Sequence, residues 1–148
     1  DYLGRRPAAK THAEAAEVRA RTATGFANVP PSRWLEEARI LYHEHPDGLH
    51  LTYDPKLRDA VIEGFKNAGD VDAWPLFDAL SGLPTALIHG ANSDLLSRET
   101  ALEMKRRMPK MHLIHVPDRA HIPFLDEPQS LVTLSAWIKE MKEMKDGL

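Results

Sequence analysis

Two short apolar runs, LPTALIHG at 83–90 and MHLIHV at 111–116, constrain the fold of this chain more than any other feature. Each is too short for an independent buried helix and has the continuous apolar character of a strand covered on both faces. Between them Ser97 offers an N-cap for RETALEMKRRM, a helical stretch that Pro109 stops. After the second run comes PDRAHIPFLDEP, then a helix predicted over about 128–144 with Leu131, Leu134, Ile138 and Met141 at helical spacing. Strand, helix, strand, helix in that order predicts an α/β arrangement with two parallel strands and a right-handed crossover.

Parallel neighbours end at the same edge of their sheet, so the loops after Gly90 and Val116 are expected side by side. That edge is where open α/β sheets bind ligands. Asp94 lies five residues past His89, and His121 lies five past Val116. Adjacent strands are only about 4.8 Å apart, so a carboxylate–imidazole hydrogen bond between the two loops is geometrically easy. Such a bond fixes the tautomer of a basic imidazole and stabilises its protonated form.

Residues 1–80 have a different rhythm and read as a mainly helical region, with 81–148 as the α/β part. Thr11 and Glu14 form a capping-box pattern ahead of AEAAEVRARTATGF. Ser32 is a candidate cap for a helix through about His45, with Trp34, Leu35, Ala38, Leu41 and Tyr42 on one side. LHLTY (49–53) alternates like a short strand, and Asp54-Pro55 reads as N-cap and first residue of a helix carrying Leu57, Val61, Ile62 and Phe65. Asp72 is placed to open a further helix through WPLFDAL. Trp34, Tyr42, Phe65 and Trp74 are expected to serve mainly in packing.

Several residue types have plainer readings than a site. His43 and His45 of YHEHP would point about 200° apart on a helix and share no metal. His112 and His115 fall on opposite faces of a strand, and His89 ends one, so all three are expected to be structural. KRRMPK (105–110) suits the negative end of a helix dipole. Asp126 and Glu127, assigned to the first turn of the last helix, need no catalytic duty.

Composition excludes some classes of function. The chain has no cysteine, which removes thiol nucleophiles, disulfides and thiolate metal sites and favours a reducing compartment, so a cytoplasmic location is expected. Its 22 acidic and 19 basic residues are interspersed, leaving no basic stripe for nucleic acid. No apolar run approaches the roughly 18 residues of a membrane span. DYLGRRPAAK resembles neither a signal peptide nor a linker, and Asp1 is expected to be a cut inside a longer protein.

The stretch LPTALIHGANSDLLSRETALEMKRRMPKMHLIHVPDRAHIPFLDEPQSLVTLSAWIKEM closely resembles the C-terminal part of an alpha/beta-hydrolase fold enzyme. Both strands, the acid loop, the last helix and the H-x-P-x-L-x-E-P run match that family over about 72–148, while residues 1–71 resemble the variable helical cap inserted before its last two strands. The implied architecture is a partial alpha/beta-hydrolase fold, a helical cap followed by two parallel β-α units. By this resemblance His121 is the general base and Asp94 the acid that orients it. Many relatives carry that acid three residues after the strand-ending glycine, a position held here by Ser93. Others carry it after the preceding strand, which lies outside this sequence.

The family's nucleophile elbow, G-x-S-x-G, is missing. None of the six serines (Ser32, Ser81, Ser93, Ser97, Ser130 and Ser135) has that context, and there is no G-x-D-x-G. In the fold the elbow precedes the cap, so it is expected upstream of Asp1. The resemblance therefore implies the C-terminal portion of a hydrolase of carboxylic esters or small acyl compounds, working by Ser–His–Asp chemistry with no cofactor and no metal. An aspartate at the elbow would instead give dehalogenase or epoxide hydrolase chemistry, and a C–C bond hydrolase uses the same frame. A non-catalytic interaction unit is the remaining class. The expected partners are a small-molecule substrate, and the N-terminal half of the fold or a second copy against the open strand edge. The chain alone is expected to be inactive.

Overall fold

The structure, a computed structural model, describes residues 4–69 and 71–146. It divides into two compact units, Asp1–Thr24 with Asn28–Val71, and Gly25–Ala27 with Asp72–Leu148.

In the first unit α1 (His12–Thr22) packs on α2 (Pro31–Leu41). Thr11 caps α1 by accepting from the Glu14 amide at 3.2 Å, while the Glu14 carboxylate reaches back to the Lys10 amide, one residue outside the usual capping box. Ala15, Ala16, Trp34, Ala38 and Leu49 form the buried core, and the Arg19 guanidinium lies 5.9 Å from the Trp34 ring. The helix α2 begins at Pro31 without a side-chain cap and ends at Leu41 rather than His45. Residues Tyr42–His45 instead form β1, antiparallel to β2 (Gly48–Leu51), with His45 opposite Gly48. Pro46 explains the difference, because the residue before proline is driven out of helical geometry and a two-residue turn then supplies a partner strand. In a strand His43 and His45 share a face, and the His45 ring sits 4.3 Å from that of His50. Among the described residues no group of three or more His, Asp or Glu side chains is placed to hold a metal. The third helix, α3, covers Leu57–Ala68 and starts two residues after Pro55, with Asp54 accepting from the Lys56 amide. Phe65 on α3 is 79% exposed, contrary to a packing role within this unit.

The second unit holds α4 (Trp74–Asp78), β3 (Ala86–Gly90), α5 (Arg98–Arg107), β4 (His112–Val116) and α6 (Pro128–Asp146). The sequence boundary at 80/81 puts α4 with the cap. It folds with the α/β unit because Arg107 of α5 stacks 4.2 Å from the Trp74 ring and donates to Asp78 at 2.8 Å. Strands β3 and β4 are parallel, in register from Ala86 opposite His112 to Gly90 opposite Val116. Ser97 caps α5 by accepting from the Thr100 amide at 3.1 Å. Lys105 donates to the carbonyls of Pro109 and Met111, closing the C-terminal end of that helix. The last helix packs on both strands, and Trp137 Nε1 donates to the Pro84 carbonyl at 2.9 Å. Leu87, Ile88, Leu113 and Ile114 are only half-buried, although their apolar character predicts strands covered on both faces. No helix among the described residues is long and apolar enough to cross a membrane.

Candidate active site

The parallel register delivers the loops after β3 and β4 to one sheet edge, and backbone hydrogen bonds continue the pairing beyond the strands. The Ala91 amide donates to the Val116 carbonyl at 2.9 Å, and the Asn92 amide to the Arg119 carbonyl at 2.9 Å. Gly90 permits this approach, since a Cβ there would meet the carbonyl oxygens of Ala120 and Arg119. Asp94 and His121 are both exposed on these neighbouring loops. No hydrogen bond or ion pair joins their side chains among the described residues. The loops, rather than a direct contact, bring the two groups to the same edge.

The loop carrying Asp94 is built by Ser93 and His89. Ser93 Oγ accepts from the amides of Leu95 and Leu96, so the residue at the family's usual acid position serves as a turn cap. His89 is 3% exposed, and its Nε2 donates to the Leu96 carbonyl at 2.7 Å. A carbonyl only accepts, so Nε2 of His89 holds a proton. His115, directly opposite in the register, shares a hydrogen bond with His89 between the two Nδ1 atoms across 2.9 Å. Its own Nε2 is buried and without a hydrogen-bond partner among the described residues. On the other face His112 pairs with Glu140 of α6 at 2.8 Å. All three strand histidines are thus held by structural contacts.

Burial depresses the His115 pKa below its ordinary 6.5, helped by the nearby positive charge of Arg98 and by His89. A depressed value means that the unfolded chain takes up the proton first. Stability is then full above about pH 6.5 and declines as pH falls toward the folded value. Urea unfolding at about pH 7.5 and pH 5.5 is expected to show a lower midpoint at the acid pH, with the difference reduced in His115→Asn.

The loop carrying His121 is held by a group that sequence reasoning dismissed. Glu127 does not lie within the last helix, as predicted, but just before it, and its carbonyl accepts from the Leu131 amide. Its side chain, 6% exposed, turns back into the loop. Oε1 accepts from Arg119 Nε at 2.8 Å and the Phe124 amide at 3.0 Å; Oε2 accepts from the Leu125 amide at 3.0 Å and Ser130 Oγ at 2.8 Å. Burial by itself pushes this carboxyl up, but the bonds from Ser130, the Phe124 amide and Arg119 outweigh it and hold the pKa below the usual 4.5. A second missed element is the segment Gly25–Ala27. Asn92 Nδ2 donates to the Gly25 carbonyl at 2.8 Å, the Ala27 amide to Asp118 at 3.1 Å, and Arg119 Nη1 to the Ala27 carbonyl at 2.9 Å. Phe26 packs on Phe124 with ring centroids 5.4 Å apart. A sequence signal existed only for Glu127, in the spacing Glu-Pro-x-Ser six residues after His121.

Comparison with known proteins bears on the fold. A solved alpha/beta hydrolase from Novosphingobium aromaticivorans superposes on 93% of the chain with a TM-score of 0.79 and 30% sequence identity, the match covering 49% of that protein. The fold is that of an alpha/beta hydrolase, in part. The chain is also similar to 3-hydroxybutyrate-oligomer hydrolase from Cupriavidus necator, at 35% identity over 138 residues, covering 88% of this chain and 46% of that one. E-2-(acetamidomethylene)succinate hydrolase shares the fold at a TM-score of 0.60 and 19% identity, over 86% of this chain and 44% of that one. No protein-family model matches. The chain spans about half the length of these proteins.

Proposed function

We propose that this chain is the cap and last two β-α units of an ester hydrolase acting by Ser–His–Asp chemistry, with short 3-hydroxyacyl oligomers as the substrate class. The observation that carries this reading is the pair of loops tied together beyond Gly90 and Val116, one bearing Asp94 and the other His121. Its substrate class is supported by the similarity to an oligomer hydrolase. In the proposed reaction a serine from the N-terminal half attacks the ester carbonyl while His121 takes its proton. Collapse of the tetrahedral intermediate releases the alcohol, which receives that proton, and leaves an acyl-enzyme. Water, deprotonated by His121, then releases the acid and restores the serine. Asp94 orients the imidazole and stabilises its cationic form once the site is assembled, since apo geometry is often looser than that of a substrate complex.

The half-buried apolar residues of β3 and β4 support a partner for this chain, the N-terminal half of the same fold, laid against the free edge of β3. The residues described here hold no nucleophile elbow and are expected to be inactive alone. The test is an assay of the protein encoded by the full reading frame, using the dimer and trimer of 3-hydroxybutyrate and p-nitrophenyl butyrate. Saturable acid release with a burst of p-nitrophenol is expected. Absence of turnover on all three would overturn the proposal, and turnover of p-nitrophenyl butyrate alone would overturn its substrate class.

A further inference from the structure

The polar network around Glu127 satisfies more than a helix start requires. Four donors converge on one buried carboxylate, and three of them belong to residues 119, 124 and 125, which flank His121 on both sides. The fourth, Ser130, is fully buried on α6 and anchors the carboxylate to that helix. Arg119 extends the network by donating to the carbonyls of Ala27 and Asp118 and by lying 5.3 Å from the Phe124 ring. His121 itself is exposed, and its ring makes no hydrogen bond among the described residues. Its place is therefore determined by the backbone on either side of it.

We propose that Glu127 is the positioning residue of the base loop, its carboxylate fixing both stems of the turn and thereby where the His121 imidazole stands. The inference takes His121 as the base from the functional reading above, but the geometry it asserts can be measured without turnover. All four groups around the carboxylate are present as donors, so a neutral isostere cannot replace it. In Glu127→Gln one side-chain oxygen becomes an NH2 group facing an N–H. Ser130 can rotate to accept, but the backbone amide of Leu125, or the Arg119 and Phe124 donors in the flipped orientation, cannot.

The experiment compares wild type and Glu127→Gln of the full-length protein by NMR, following the His121 ring nitrogens and amide exchange at Phe124 and Leu125. Glu127→Gln is expected to shift the His121 ring resonances and speed exchange at Leu125 by about ten-fold or more, with residues of α1 and α2 unchanged. In the full-length protein the same substitution is expected to lower kcat by about 10- to 100-fold with KM little changed, as for a displaced catalytic group. If Glu127→Gln does not fold, Ser130→Ala, which removes one of the four donors, is expected to move the same resonances in the same direction by a smaller amount. Unchanged His121 resonances and amide exchange in the folded variant would overturn the proposal. A full-length protein without turnover would count against the functional reading alone, because the NMR comparison still decides the role of Glu127.

Discussion

In the full-length protein, His121→Ala is expected to lower kcat by about four orders of magnitude while leaving KM within a few-fold. On the proposed mechanism, loss of the imidazole removes the group that takes the serine proton and returns it to the leaving alcohol. Transition-state stabilisation is lost while substrate binding persists. The same variant should barely alter stability, because His121 is exposed and contributes to no core contact. Surface substitutions of that kind usually stay within about 0.5 kcal/mol. The contrast between lost turnover and retained folding separates a base from a structural histidine. Asp94→Asn is the companion measurement. A comparable loss of kcat is expected from a misassigned tautomer, and a decrease below about ten-fold would move the orienting acid to another residue.

Gly90→Ala is expected to destabilise the α/β unit and disable the site together. An added Cβ would fall on the Ala120 carbonyl oxygen and within 2.7 Å of the Arg119 carbonyl oxygen, backbone atoms that cannot swing aside like a flexible side chain. Relief requires the two loops to separate, breaking the Ala91–Val116 and Asn92–Arg119 hydrogen bonds that hold them edge to edge. Overpacking of this kind costs roughly 1–3 kcal/mol, readable as a shift in the urea midpoint with an unchanged slope. An unaltered midpoint would mean that the loops do not approach each other at Gly90.

The elements that decide this site were legible because their signals are local. Continuous apolar runs with Ser97 and Pro109 between them specify β3, α5 and β4, and the parallel pairing follows from the connection. The hairpin Tyr42–Leu51 was obscured because helical spacing from Trp34 continues through Tyr42, and only Pro46 marks the change. Pairwise relations across the sheet were out of reach. His89 and His115 are 26 residues apart, and their contact depends on a register that composition does not encode. Glu127 illustrates the same limit at short range. A carboxylate beside a helix start looks identical in sequence whether it faces water or folds back onto Arg119, and only the path of the intervening loop decides.

The placement of Gly25–Ala27 has a practical consequence for anyone dividing this protein. Three residues encoded inside the helical region are folded with the α/β unit and stitched to both of its functional loops. The boundary between the units is therefore crossed three times by the chain, and no single cut separates them. Removing the helical unit means removing both 1–24 and 28–71 while keeping Gly25–Ala27, whereas a chain begun at Asp72 would leave the carbonyl of Asp118 and the guanidinium of Arg119 without the backbone groups they hold. Exchange of the helical unit between similar proteins should accordingly be designed with this tripeptide kept on the recipient side.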